Sequence, residues 1–539
     1  MNTKKYFLFL MILLVSFSVI AQKRAFTIED LYKIKNVSAP VLSNSGEKIA
    51  FTVTEYDLPK GKTITNLYVM DTNGSSLVSV SNTLAGAHSP FWSSKDELFV
   101  MYKSQVYKYS LATKDTFRIT DFYAGIQDPV LSNDGRYIAF VAELFPECGT
   151  DNDCNKKLDV SSSDGPMHAY IADNLLFRHW TDYKGEKESY LVLFDIKENK
   201  YQTIVKSDVL SGTYMLGGGP KYAFSPDSRV LSYVSTIEKN IAASTNTDIF
   251  LFPLGGSGAV NVTLANNAWD GAPVYSPDGK YIAYKTQTIP GYEADRFRVA
   301  VYNTQTLQSE TLTEAFDYTT DNLSWSSDSK SVYFLADNHG YSPVYSVDIQ
   351  TKNISKLTDD KAVRGYQASN DGKSLFLTFT SVDKPTEMYS YNINAGVYSQ
   401  ITFYNKKLTE EVDIRPAEQM WVDGADGVPV HVFIVKPHDF QEYTKYPLVI
   451  NVHGGPQMQW MDSFRGDWQV YPGSGYVVAF FNPHGSTGYG SNYTEAISKD
   501  WGGKVYEDVM KVTEALEKLP YVDSERMGAM GWSYGGVMK

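Results

Sequence analysis

Seven times between residues 43 and 377 the chain repeats one short pattern: a Ser, a polar turn, then alternating apolar residues. The copies are SNSGEKIAF (43–51), SSKDELFV (93–100), SNDGRYIAF (132–140), SPDSRVLSY (225–233), SPDGKYIAY (276–284), SSDSKSVYF (326–334) and SNDGKSLFL (369–377). Asn/Asp-Gly or Asp-Ser between two apolar runs is tight-turn chemistry, because the turn needs positions that tolerate positive φ. The period-two run after each turn reads as a half-buried strand. Several copies continue into a second hairpin, as in TNLYVMDTNG (65–74) and SPVYSVDIQTKNISKLT (342–358). Successive copies begin 50, 39, 93, 51, 50 and 43 residues apart. Four short strands in each such interval is the mark of propeller blades. The expected fold for residues 22–410 is an all-β propeller of seven blades, with eight as the alternative. An excess of Tyr (39) and Phe (27) leans the same way.

The 93-residue interval is about twice the period, and residues 141–189 within it break the strand rhythm. An insertion of this kind projects from the rim or face of a propeller, where function sits. It holds the chain's two cysteines, Cys148 and Cys154. They are too few for a disulfide scaffold or a Cys-based zinc site, and no His lies at ligand spacing. A local disulfide between them is expected in a chain that leaves the cytosol. Arg178-His179-Trp180, in the same insertion, reads either as a functional cluster or as a packed anchor.

Export itself is read from the first residues. Lys4 and Lys5 precede the apolar run YFLFLMILLVSFSVI (6–20), with small residues at Val19 and Ala21. That is a secretory signal, residues 1–21, cleaved after Ala21. The run is too short for a permanent anchor. A periplasmic or secreted location follows, with no membrane attachment after cleavage. Lys+Arg 49 against Asp+Glu 62 leaves no basic surplus to neutralise phosphates, which argues against a nucleic-acid partner.

From about residue 411 the pattern changes to strand, loop, strand, helix. VPVHVFIVKP (428–437) alternates like a strand, YPLVINVHGGP (446–456) runs into a Gly-rich loop, and GYVVAFFNPHG (475–485) is continuously apolar. EDVMKVTEALEKL (507–519) has helical spacing, with Val509, Val512, Leu516 and Leu519 on one face. ERMGAMGWSYGGVMK (525–539) is a further strand ending in GWSYG. These are the parts of an α/β-hydrolase domain. Gly531 to Gly535 fit the nucleophile elbow G-x-S-x-G, in which Ser533 sits on a sharp strand-to-helix turn flanked by residues with no room for side chains. His453-Gly454-Gly455-Pro456 matches an oxyanion loop, whose glycines let backbone amides approach a tetrahedral intermediate. Gly454 and Gly455, with the amide of Tyr534, are the expected donors. His453 is read as part of that loop rather than as a base.

Taken together, GWSYGG (531–536), HGGP (453–456) and NPHGSTGYG (482–490), behind a repeat propeller, resemble the prolyl oligopeptidase family of serine peptidases. The likeness is strongest to its exported bacterial dipeptidyl-peptidase and acylaminoacyl-peptidase-like branch, which the FPECGTDNDC and FRHW stretches also resemble. The resemblance spans the whole mature chain. It implies a propeller capping the hydrolase, with short peptides cleaved through an acyl-enzyme on Ser533 and no metal or cofactor. It also implies acidic groups on the propeller side that hold a substrate's free amine, for which Glu143 and Glu147 are the candidates. One departure is His484, where many relatives carry Arg. Another is that all eight histidines precede Ser533, and no Asp, Glu or His follows it before Lys539. In this fold the order is Ser, Asp, His. Residues 411–539 are therefore expected to be the front part of the catalytic domain, and the polypeptide as written is expected to be inactive. An esterase-like hydrolase and a non-catalytic binding propeller are the alternative readings.

Overall fold

The computed structural model describes residues 23–163, 169–212, 214 and 216–539. Residues 1–21, expected to be a secretory signal, and His168 lie outside the described residues. Seven four-stranded antiparallel sheets follow one another along the chain, over residues 36–79, 88–118, 127–206, 222–261, 270–311, 320–356 and 362–400. They are blades 1 to 7 of a β-propeller. The long interval is one blade, not two: residues 145–187 enter between the second and third strands of blade 3. Each sheet is built from consecutive strands, so among the described residues no exchanged strand closes the ring. Blade 7 meets blade 1 through apolar side chains, with Phe376 and Met388 packed on Val37, Ile49 and Phe51.

The repeated Ser proves to be the hub of each hairpin turn. In six copies its hydroxyl oxygen accepts the backbone N–H five residues on at 2.8–3.0 Å, as Tyr137 N–H donates to Ser132 and Tyr281 N–H to Ser276. The fourth residue of all seven copies has φ between 58° and 76°, which is why Gly, Ser or Asp stands there. The turns also bind one another around the ring. Asn44 Nδ2 donates to the Ser94 carbonyl, Ser94 Oγ to that of Asn133, and Asn133 Nδ2 to that of Pro226. Asn370 Nδ2 of blade 7 returns to the Asn44 carbonyl of blade 1. A second repeat escaped the sequence reading. In six blades a Ser or Thr hydroxyl accepts the N–H of the residue fourteen positions before it, the pairs being Leu67/Ser81, Val106/Thr120, Ile249/Thr263, Val299/Thr313, Val344/Thr358 and Met388/Thr402.

Residues 417–531 form a five-stranded sheet from β1 (Ala417–Asp423), β2 (Pro429–Val435), β3 (Tyr446–Val452), β4 (Val477–Asn482) and β5 (Val522–Gly531), in the order β1-β2-β4-β3-β5. β3 pairs parallel with both β4 and β5, while β2 runs antiparallel to β1 and β4. β2 does not alternate: every residue after Pro429 is buried, because helices and propeller loops cover both faces. Helix α1 (Gly503–Glu517) buries Val505, Val509, Val512 and Leu516, as its spacing predicts, and also Asp508. Leu519 lies beyond its end.

The Ser-turn hairpins join first and second strands at one end of each blade. The loops joining second and third strands therefore emerge at the other end, and there the α/β layer sits. Asp462 of that layer accepts the Val382 N–H of the blade 7 loop at 2.8 Å, and Gly340 N–H of the blade 6 loop donates to Gln459 Oε1 at 2.8 Å.

Between blades 4 and 5, Asp248 and Asp270 are both fully buried, and each has one carboxylate oxygen without a hydrogen-bond partner. Burial above all, with Asp248 nearby, pushes the Asp270 pKa up to about 7, against hydrogen bonds from Thr286 and Asn266 that favour the charged form. The folded chain keeps a proton there that an unfolded chain releases above about pH 4. Stability is thus lost as pH rises from about 4 to 7. Asp270→Asn should raise the urea midpoint at pH 8, and by about 2–3 kcal/mol more than at pH 5. An equal effect at both pH values would refute this assignment.

Candidate active site

β5 delivers Ser533 onto a turn with φ 56° and ψ −123°, a conformation that a residue other than glycine adopts only under constraint. The flanking glycines follow from close approach. A Cβ on Gly531 would lie 2.2 Å from the Gly535 carbonyl oxygen, and one on Gly535 2.1 Å from that of Val452, the last residue of β3. Ser533 is exposed and Tyr534, which opens the short helix Tyr534–Val537, is buried.

HGGP leaves the end of β3 and lies against this turn. A Cβ on Gly454 would stand 2.8 Å from the Trp532 carbonyl oxygen and 3.4 Å from Ser533 Cβ, so only glycine lets the loop backbone come this close to Ser533. Gly455 has φ 112°, again open only to glycine. His453 is buried, its Nδ1 donating to the Gly454 carbonyl at 2.6 Å and its Nε2 facing Ser486 Oγ at 2.8 Å. Burial pushes its pKa down to about 4. It shapes the loop and is not free to serve Ser533. His484 is engaged as well: its Nδ1 meets Asp508 Oδ2 at 2.7 Å, and its ring stacks on Tyr493 at 4.5 Å.

Beside the HGGP loop, between blades 5 and 6 and segments 457–461 and 487–494 of the α/β layer, lies a cavity of about 480 Å³. Its walls carry Glu293, Asp295, Asp317, Asp321 and Asp337 against Lys285 and Arg296, so it is net acidic. Asp337 is held by Thr487 Oγ1 at 2.6 Å, and burial pushes its pKa above the usual carboxylate range. Lys285 Nζ donates to the Gly217 carbonyl at 2.6 Å and to Asp321 at 2.8 Å, and lies 4.6 Å from the Phe297 ring centre. The blade 6 loop grips both the loop after β4 and the segment that follows HGGP: His339 N–H donates to the Gly488 carbonyl at 3.0 Å, and Gln459 Nε2 to that of Tyr341 at 2.8 Å.

Glu143 and Glu147 are not among the cavity-lining residues. Glu143, near the end of a blade 3 strand, accepts from Ser189 Oγ, and Glu147 is exposed. Cys148 and Cys154 form a disulfide, with Cα atoms 5.4 Å apart. Trp180 is no anchor: it is 77% exposed, and Leu176 does the packing. The acidic wall went unseen in the sequence because its carboxylates come from three separate loops. DNHG (337–340) in particular reads as one more turn.

Comparison with known proteins agrees with this arrangement. The model of the prolyl oligopeptidase family matches residues 462–539. Dipeptidyl-peptidase 5 of Porphyromonas gingivalis is 26% identical over 519 residues, covering 93% of this chain and 74% of the relative. Dipeptidyl-peptidase 5 of Schizosaccharomyces pombe is 28% identical over 404 residues, covering 71% of this chain and 58% of the relative. The acylaminoacyl peptidase of Pyrococcus horikoshii, 18% identical, superposes with a TM-score of 0.76 over 95% of this chain and 76% of its own. With a seven-bladed propeller, an α/β sheet and a serine turn braced by HGGP in one polypeptide, the chain is similar over most of its length to serine peptidases of the prolyl oligopeptidase family, whose model its residues 462–539 match.

Proposed function

We propose that the protein is an exported serine exopeptidase that cleaves short peptides from a free amino terminus, through an acyl-enzyme on Ser533. The observation that carries this is the strained elbow at Ser533, lying against Gly454 in a loop that continues into the wall of an acidic cavity. In the reaction Ser533 Oγ attacks the scissile carbonyl. The backbone amides of Tyr534 and the Gly454-Gly455 loop stabilise the developing oxyanion. The acidic wall suits a substrate's ammonium group, and an acidic receptor favours a dipeptidyl over an acylaminoacyl substrate. Export is supported by the leader at residues 1–21 and by the disulfide, which suits an oxidising compartment. Among the described residues, His453 and His484 are engaged with Ser486 and Asp508 and are not free to act as a base for Ser533.

The test uses a polypeptide carrying these 539 residues together with a triad Asp and His. Dipeptidyl amides with a free amine should show kcat/KM at least ~10-fold above the same peptides N-acetylated, a difference of about 1.4 kcal/mol. Preference for the acetylated peptides would overturn the dipeptidyl reading. Faster cleavage of simple esters, with indifference to the amine, would overturn the peptidase reading altogether.

A further inference from the structure

The backbone that lies against Ser533 is a Gly-Gly peptide, the softest unit a chain offers. Neither Gly454 nor Gly455 has a side chain to hold the plane between them, and Gly455 sits at φ 112°. The Gly455 N–H is nonetheless an expected oxyanion donor, and such a donor works only if its direction is fixed before substrate arrives. A peptide group is planar, with its carbonyl and its N–H on opposite edges. Whatever grips the Gly454 carbonyl therefore aims the Gly455 N–H.

The grip is His453 Nδ1, 2.6 Å from that carbonyl oxygen. A carbonyl only accepts, so Nδ1 carries the hydrogen. A neutral imidazole has one such hydrogen, and burial keeps this ring neutral by pushing its pKa down to about 4. Nε2 is then a bare acceptor, and Ser486 Oγ faces it at 2.8 Å. The Ser486 hydroxyl has a second acceptor in reach, the Pro483 carbonyl at 2.6 Å. Turning there would leave lone pairs on Nε2 and Oγ opposed. The Pro483 carbonyl is satisfied without it, because it accepts the Ser486 N–H at 3.1 Å. The consistent set runs one way: Ser486 O–H to Nε2, then Nδ1–H to the Gly454 carbonyl. Ser486 is itself firmly held in the loop after β4. It is fully buried, and Thr494 Oγ1 donates to its carbonyl at 2.9 Å.

We propose that Ser486 is a positioning residue: by donating to His453 Nε2 it keeps the hydrogen on Nδ1, and so holds the Gly454–Gly455 peptide with its N–H turned toward the oxyanion. This rests on the peptidase reading above. Two measurements test it, and the first needs no activity. In the 539-residue polypeptide with nitrogen-15-labelled histidine, the His453 resonances are identified by their loss in His453→Gln. At neutral pH they should show a protonated Nδ1 and a bare Nε2, and Ser486→Ala should mix the two tautomers. A wild type protonated at Nε2 would overturn the proposal, as would a Ser486→Ala spectrum identical to wild type. The second measurement is kinetic, on the polypeptide completed with a triad Asp and His. Ser486→Ala should lower kcat at least ~10-fold with KM within about twofold, and weaken by the same factor a dipeptidyl boronate, whose tetrahedral adduct fills the oxyanion position. Ser486→Cys, with a weaker donor in the same place, should fall between. A merely structural serine would lower the thermal midpoint and leave kcat and boronate affinity alone, and that outcome would also overturn the proposal. If the completed wild type hydrolyses no peptide, the peptidase reading fails and this one with it. If it does and Ser486→Ala keeps its kcat, this proposal alone fails.

Discussion

Replacing Ser533 by alanine, in a polypeptide that carries these residues with a triad Asp and His, is expected to lower kcat/KM on a dipeptidyl amide by about 10⁴-fold or more. The size of the effect follows from how little else can substitute. Ser533 presents the one exposed hydroxyl of the turn, that of Tyr534 being donated to the Trp501 carbonyl, and its backbone is held at φ 56° by glycines whose Cβ positions are filled by the Gly535 and Val452 carbonyls. The alanine side chain fits the same space, so the sheet and the HGGP loop should stand unchanged and substrate affinity should survive. The loss should therefore appear in kcat, with KM nearly constant, and fluorophosphonate labelling should vanish with it. The 539-residue polypeptide alone is the matching control. With His453 facing Ser486 and His484 paired to Asp508, neither imidazole is free to activate Ser533, which is expected not to label. Ready labelling of that polypeptide would mean that another group activates Ser533. Residual activity within tenfold of wild type in Ser533→Ala would remove Ser533 as the nucleophile.

The propeller was legible because its signal is local and repeated. Each Ser-turn copy needs a positive φ at its fourth residue, so Gly, Ser or Asp returns there seven times whatever the rest of the blade does. The elbow was legible for a related reason: the close approach of β3 to the turn admits only glycine at 531 and 535. Long-range contacts left no such mark. Asp337, Asp321 and Lys285 come from different strands and loops and meet only when blades 5 and 6 close against the α/β layer. The Ser/Thr repeat at fourteen-residue spacing was missed because LT and IT dipeptides are common, and only the fold shows what their hydroxyls do. In α1, Asp508 falls on the apolar stripe, where a reading by hydropathy passes over it. The role of His484 left no local mark either, since its partner lies 24 positions away.

Asp508→Ala is accordingly expected to be the most destabilising single change in the α/β layer. The carboxylate is fully buried and accepts three donors at 2.7 Å: the His484 N–H, the His484 Nδ1 and the Ala425 N–H. It ties α1 to the loop after β4 and to the turn between β1 and β2. Alanine would leave two backbone amides and an imidazole unpaired in the interior and open a cavity beside Gly424, which has no side chain to fill it. Removing one partner of a buried charged network costs about 3–5 kcal/mol. Asp508→Asn keeps two acceptor positions at one oxygen but turns an NH₂ toward a donor, so it should fall between alanine and wild type. The blades pack among themselves through their own interblade clusters, so the loss should be confined to the unfolding transition of the α/β layer. Urea unfolding followed separately by far-UV circular dichroism and by protease cleavage within residues 417–539 resolves the two. If Asp508→Ala shifted the α/β transition by less than about 1 kcal/mol, the three bonds would be dispensable and the buried carboxylate would need another explanation.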